Sequence, residues 1–174
     1  MIKIEYFKTP YGELILGSYE ERLCLCDWRY RKMRVSIDNR IKAGLKDDYR
    51  EESSDVIKET IVQFNQYFDG ERTEFNIPLL LVGSDFQKSV WNALLQIPYG
   101  KTDTYLGLSK KLENEKAIRA VASANGANCI SIIIPCHRII GSDGNLVGYA
   151  GGLDVKKKLL IHEKAMIDNQ LSLF

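Results

Sequence analysis

No apolar run in this chain is long enough to cross a bilayer. The longest, Leu79–Val82 and Ile130–Pro135, fall far short of the ~20 residues a spanning helix needs. No C-x-x-C pair occurs among the four cysteines, Cys24, Cys26, Cys129 and Cys136, and the spacing Cys24-x-Cys26 does not suit a structural zinc site. The opening stretch MIKIEYFKTPYG alternates polar and apolar residues and lacks the apolar core of a secretory signal. Reduced thiols in a cytoplasmic protein (nuclear in a eukaryote) are therefore expected, with no membrane partner. Net charge is nearly absent too, at +1 over 174 residues. What is present, 45% hydrophobic and 27% charged residues, suffices for a core that needs neither disulfide nor metal.

The small net charge hides an uneven distribution. Residues 1–83 hold 13 basic and 15 acidic side chains, a net −2, and residues 84–174 hold 11 and 8, a net +3. A mildly basic half suits a polyanion, and ordinary solvated faces give the same balance.

Along the first half, Ile2, Ile4 and Tyr6 alternate with polar residues before the turn Thr9-Pro10-Tyr11-Gly12, and Leu14–Leu16 and Leu23–Trp28 continue as strands. Cys24 and Cys26 share one strand face and read as core filler. Residues 29–52 are charge-rich with weak periodicity, a surface excursion with a short helix. Ser54 or Asp55 caps a helix marked by Ile57, Ile61, Phe64 and Phe68 and closed by Gly70. Three strands and one helix make a small α/β unit without a reactive constellation.

Residues 71–84 join the halves. Ser84-x-x-Gln87 opens a helix with Phe86, Val90 and Leu94 on one stripe, and Pro98-Tyr99-Gly100 follows it. Two short helices come next. Thr102 or Asp103 caps the first, with Tyr105, Leu108 and Leu112 on its apolar face; Asn114 caps the second, from Glu115 to about Ala124. The pair has the outline of a helix-turn-helix. Its second helix is nearly all small residues, Ala117, Ala120, Ala122, Ser123 and Ala124, around one Arg119. Such a surface fits tight packing on a neighbour, or close approach to a nucleic acid without reading base edges, which would need several long donors and acceptors.

The chemistry concentrates after Asn128. An isoleucine-rich stretch, expected as a buried strand, runs to Pro135 and delivers Cys136-His137-Arg138. A thiol attacks as thiolate and is activated by basic neighbours, although adjacent residues point apart on regular backbone. Cys136 is equally readable as an inert buried thiol, and His137 as a hydrogen-bonded core histidine. Gly141–Asn145 reads as a turn, and Gly148-Tyr149-Ala150-Gly151-Gly152 as a loop suited to a flat ligand. Asp154 is expected to cap a last helix, Val155–Met166, whose Glu163 would ordinarily be solvated.

Taken together, these residues resemble the O6-alkylguanine-DNA alkyltransferases, or methylated-DNA–protein-cysteine methyltransferases. Pro135-Cys136-His137-Arg138 matches that family's active-site motif. Phe86-Gln87 with Val90-Trp91, Ile97–Gly100, Thr104-Tyr105, Arg119–Val121, Ala124–Asn128, Ile139–Ser142, Gly148–Leu153 and Leu159-Leu160 through His162-Glu163 follow in order. The match is close over 84–164 and looser over 1–83. It implies an α/β (α+β) protein of two domains: residues 1–83 as a ribonuclease H-like sheet and helix, and residues 84–174 as a mostly helical, winged helix-turn-helix-like domain.

The resemblance also implies roles. Cys136 would take the alkyl group from O6 of a flipped guanine (and from O4-alkylthymine) in one irreversible turnover, with no cofactor and no metal. His137 would serve as base through a bridging water, oriented by Glu163, and Asn128 would hold the turn that places Cys136. Tyr105 would donate toward guanine N3, and Tyr149, Ala150 and Gly151 would close over the base. Arg119 would fill the gap in the duplex, with Asn114 and Ser142 on phosphates. The partner would be double-stranded DNA, bound as a monomer in the minor groove, largely without sequence preference and with a shallow salt dependence. Cys129 departs from the family's common proline, and Ala150 from the serine of some relatives. Two rivals remain: a lesion-binding protein without chemistry, which the presence of Cys136 opposes, and a redox-sensing helix-turn-helix regulator, which the smooth Ala117–Ala124 helix opposes.

Overall fold

The computed structural model describes residues 1–167. They group into two compact units, the first ending at Ser84 and the second beginning at Asp85. The second domain expected from the sequence runs on to 174, and residues 168–174 lie outside the described residues.

In the first unit, alternation produces the expected meander. Strands β1 (Ile2–Thr9), β2 (Gly12–Tyr19) and β3 (Arg22–Trp28) pair antiparallel, with Thr9 opposite Gly12 at the first turn and Leu14 opposite Trp28 at the second pairing. Cys24 and Cys26 are buried in β3, as core filler should be. The 29–52 excursion holds more order than its sequence suggests. Helix α1 (Arg34–Leu45) occupies most of it, and a fourth strand, β4 (Tyr49–Glu51), returns parallel to β1, giving the sheet order β3-β2-β1-β4. Helix α1 buries only Ile37 and Ile41, so no apolar stripe announces it. It is tied down by charge: fully buried Asp27 receives Arg31 at 3.2 Å and Arg34 at 2.9 Å, and Arg34 reaches on to Asp38. Burial pushes the Asp27 carboxyl up, against the pull of both guanidiniums. Such a pair fixes position more than it stabilises. Helix α2 (Asp55–Phe68) packs its Phe64 against the sheet, stacked 6.2 Å from Phe7. Its cap is Ser54, whose hydroxyl accepts from Ile57 N–H at 3.2 Å.

The second unit is mostly helical. Helix α3 (Asp85–Leu94) buries Val90, Trp91 and Leu94, while Phe86, expected on that stripe, is 38% exposed in the first turn. A two-residue strand β5 (Asp103–Thr104) leads into α4 (Tyr105–Lys111). The α4 cap is Thr104 rather than Thr102 or Asp103: its backbone is extended, and its hydroxyl accepts from Gly107 N–H at 3.0 Å. A 3₁₀ turn (Glu115–Ala117) then opens α5 (Ile118–Gly126). Asn114 occupies the cap position before that turn, but its side chain makes no capping bond, because the tighter turn replaces the first α-helical turn.

The largest departure lies at Ile130–Ile134. β-Branched residues predict a strand there, yet the segment is a buried turn in which Ile134 N–H bonds back to Ile130 O at 3.0 Å. Order resumes in a 3₁₀ turn (Cys136–Arg138) and strand β6 (Ile139–Ile140), which lies parallel to β5 with Ile139 opposite Asp103. Helix α6 spans Leu153–His162, ending short of Met166. Gly152, at φ +93°, stands at its cap position, and Asp154 lies inside the first turn without capping. Among the described residues no helix is long and apolar enough to cross a membrane.

Candidate active site

Asn128 builds the turn that presents the thiol. Its Nδ2 donates to Ile134 O at 3.0 Å and its Oδ1 accepts from Ile130 N–H at 3.0 Å, so one buried side chain clips both ends. Local side-chain bonding of this kind competes with strand pairing, which explains why a β-branched run is bent. The clip also holds Ile132 at φ +71°, a left-handed conformation costly for a β-branched residue. The chain leaves the turn through Pro135, and Cys136 N–H bonds Ile134 O at 2.8 Å. Cys136 is 4% exposed.

The 3₁₀ turn brings together side chains that a regular backbone would aim apart. His137 and Arg138 both converge on Glu163, at the C-terminal end of α6. His137 Nε2 lies 2.9 Å from Glu163 Oε2. Arg138 donates to the same carboxylate through Nε (2.8 Å) and Nη2 (3.1 Å), and to Ile97 O through Nη1 (2.6 Å). Glu163 is fully buried, not solvated as a helical carboxylate would be expected to be. The Ile97–Gly100 block helps enclose it. Tyr99 OH donates to His162 O at 3.3 Å, and a Cβ on Gly100 would stand 3.2 Å from Glu163 O.

Charge states follow from this packing. Burial alone would raise the Glu163 carboxyl, but the His137 ring and the Arg138 guanidinium outweigh it and hold it at about 2. Burial lowers His137 below the ordinary imidazole value, against the opposing pull of Glu163. A neutral imidazole facing a carboxylate must carry its proton on Nε2, since the carboxylate only accepts. Its Nδ1 is then a bare lone pair, buried and without a hydrogen-bond partner among the described residues. The cluster therefore contains one available base beside one buried thiol.

Three further groups surround that pair. Tyr105, at the start of α4, is half-buried; burial keeps its hydroxyl protonated, Asn125 hydrogen-bonds to it, and a thiolate at Cys136 would reinforce that. The Tyr149 ring stands edge-on to His137, centroids 6.3 Å apart at 76°. Lys156 of α6 is fully buried and donates to Val147 O at 2.6 Å and Gly148 O at 3.2 Å. Burial brings this ammonium down to about 8, with Cys136 opposing.

Of the residues singled out from the sequence, Cys136, His137, Glu163, Asn128, Tyr105 and Tyr149 thus meet in one place. Ala150 and Gly151 are half-buried in the loop that begins at Tyr149. Asn114, Arg119 and Ser142 remain on exposed surface. Helix α5 buries Val121, Ala124 and Asn125 and is anchored by Trp91 Nε1–H to Ala124 O at 2.8 Å. Its other face exposes Arg119, Ala120 and Ser123, so tight packing accounts for the small residues on one side only. Arg138 as the grip on Glu163, and Lys156, were missed. Lys156 opens a run of three lysines that looks solvated, but its spacing to Leu159, Leu160 and Glu163 is helical and places it on the buried face. Among the described residues no three His, Cys, Asp or Glu side chains cluster to hold a metal ion.

Known proteins resemble this chain over nearly its whole length. The 6-O-methylguanine DNA methyltransferase DNA-binding domain matches residues 85–165, and the ribonuclease-like domain of the same name matches residues 2–81. A methylated-DNA–protein-cysteine methyltransferase of Methanosarcina acetivorans is 42% identical, covering 88% of this chain and 93% of its own. Its namesake in Mycobacterium leprae is 41% identical, covering 100% of this chain and 99% of its own. Among solved structures, the O6-methylguanine methyltransferase of Mycobacterium tuberculosis superposes with a TM-score of 0.80 at 37% identity, covering 100% of this chain and 99% of that one. The Mycobacterium tuberculosis protein in complex with DNA gives 0.80 at 36% identity, with 99% of both chains covered.

Proposed function

This chain belongs to the 6-O-methylguanine DNA methyltransferase family, and from that premise we propose which residues perform its reaction. The protein repairs DNA by moving an alkyl group from an alkylated guanine to one of its own cysteines. Cys136 is the acceptor. The observation that carries this reading is the placement of the thiol in the same short turn as His137, whose Nδ1 is an unpartnered base.

The reaction runs as an in-line displacement. His137 Nδ1 takes the thiol proton through a water, and the Glu163 carboxylate steadies the imidazolium that forms. The sulfur attacks the alkyl carbon on guanine O6; the S–C bond forms as the C–O bond breaks, and the electron pair passes into the purine. Tyr105 donates toward N3, where that charge accumulates. Arg138 keeps Glu163 ionised, and Asn128 keeps Cys136 on its turn. The products are an unmodified guanine and a thioether on Cys136. No group in the cluster reverses a thioether, so each molecule reacts once.

DNA is the partner. A buried thiol reaches a base only after the nucleotide has turned out of the stack. The smooth exposed face of α5 suits the minor groove without sequence preference, with Arg119 entering the space the base leaves. Tyr149, Ala150 and Gly151 close over the base, and Asn114 and Ser142 contact phosphates. Residues 1–83 and 84–174 act as two domains of a cytoplasmic monomer, the second carrying acceptor and DNA surface.

The deciding experiment is intact-mass spectrometry after mixing the protein with duplex DNA containing one O6-methylguanine. One added methyl group, mapped to Cys136 and lost in Cys136→Ala, is the expected result. Tight lesion binding without mass gain would overturn the acceptor assignment.

A further inference from the structure

Lys156 is an unusual residue to find without exposed surface. A lysine ammonium loses more hydration on burial than almost any other side chain, and here burial takes its value down to about 8. Among the described residues no carboxylate pairs with it. Two of its three N–H donors go to the carbonyls of Val147 and Gly148, and a thiolate at Cys136 would favour its charged form. His137 in turn feels the ammonium. A hydrophobic residue in this helical position would avoid the penalty, so the charge calls for a reason beyond packing.

The two carbonyls supply one. They immediately precede Tyr149, Ala150 and Gly151, the segment placed above the base. A hollow of about 450 Å³ lies between Gly144, Asn145 and Leu146, which precede this loop, and Leu153, Asp154, Lys157 and Met166, which follow it. The two carbonyls that Lys156 holds lie in the chain between these two rims. We propose that Lys156 is a positioning residue, whose ammonium ties the base-closing loop to α6 through Val147 and Gly148 while its charge faces the Cys136 thiol. This rests on the reading of Cys136 as acceptor.

The test uses the full chain, with Lys156→Met removing the donors and charge and Lys156→Arg restoring a cation. Amide hydrogen exchange over residues 146–151 is expected to rise about tenfold in Lys156→Met. The midpoint of Cys136 alkylation by iodoacetamide, read as a pH profile, is expected to move up by about one unit. Methyl transfer at saturating DNA slows while half-saturation stays near wild type, and Lys156→Arg recovers part of each change. Unchanged exchange and pH profile in a folded Lys156→Met that still methylates Cys136 would overturn the tie alone. Failure of the wild type to methylate Cys136 would overturn the acceptor reading instead. If Lys156→Met does not fold, wild-type loop exchange decides, after correction for intrinsic rates. It should increase as pH passes about 8, with Cys136 and His137 the titratable groups facing the ammonium, and a flat profile overturns the tie.

Discussion

His137 and Glu163 stand 26 residues apart in the chain and 2.9 Å apart in the fold, and Arg138 occupies the same carboxylate from the other side. Burial keeps the imidazole neutral although the carboxylate favours its charged form. Glu163, held ionised by both neighbours, orders the ring.

Glu163→Gln tests this relationship. The amide keeps a hydrogen bond to His137 but loses the charge that fixes the proton on Nε2, and it leaves Arg138 buried without a counter-ion. Single-turnover methyl transfer is expected to fall about 100-fold. Unfolding in urea is expected to become easier by about 3 kcal/mol, since breaking a buried pair from one side exposes the full burial penalty of the other. Wild-type transfer with wild-type stability would mean the carboxylate is incidental.

Acid should destabilise the protein in two stages. His137 is depressed in the folded state, so unfolded chains bind its proton first, and stability declines as pH falls below the ordinary imidazole value of 6.5. Glu163 is depressed from 4.5 to about 2, so its contribution is complete above 4.5 and is lost as pH falls toward 2. That second stage is worth about 3 kcal/mol. Urea melts between pH 3 and 8 check it, and Glu163→Gln should lack the second stage. Stability that rises on acidification would refute the assignment.

How much of this was legible in the sequence depends on what holds each part. The β1–β3 meander and α2 are held by apolar faces, and Ile2, Ile4, Leu14 and Phe64 announce them by spacing. Helix α1 is held by Asp27, Arg31 and Arg34, and ion pairs leave no periodic trace. The Ile130–Ile134 turn misleads because β-branched residues favour strands, whereas the bend is imposed by Asn128 from outside the run. The site itself was legible by resemblance alone. Composition and spacing allowed a nucleophile at Cys136 but could not bring Glu163 or Lys156 to it, since long-range packing decides both.

The Asn128 clip makes its own prediction. Asn128→Ala orphans Ile130 N–H and leaves Ile134 O with only the Cys136 N–H, in a buried turn with Ile132 already at φ +71°. A loss of about 2–4 kcal/mol is expected. Transfer should slow even in the folded fraction, because Cys136 follows directly from the turn. Asn128→Asp is also expected to be damaging: it keeps an acceptor for Ile130 but sets an oxygen against the Ile134 carbonyl. Thermal melts together with transfer rates measured well below the melting point separate folding from positioning.

Tyr105→Phe removes a donor without removing the ring. Its hydroxyl remains protonated at neutral pH because burial opposes the phenolate. Loss of one donor to developing charge is worth about 100-fold in rate. DNA affinity should barely change, since the contact strengthens only as the C–O bond breaks. A rise in half-saturating DNA at constant maximal rate would instead assign Tyr105 to binding.

Arg119 is the counterpart to all of these, because it lies on exposed surface away from the buried cluster. Truncation to Ala should leave stability within about 0.5 kcal/mol. Reaction of Cys136 with iodoacetamide, which requires no DNA, should be unaffected. Methyl transfer from duplex DNA should fall sharply, because nothing then fills the space of the extruded nucleotide and the stacked state is favoured. The defect should shrink when the lesion sits opposite an abasic position or in single-stranded DNA, where extrusion disrupts less pairing. An Arg119→Ala variant equally impaired on duplex and single strand would show that the side chain binds DNA generally and does not act as a wedge.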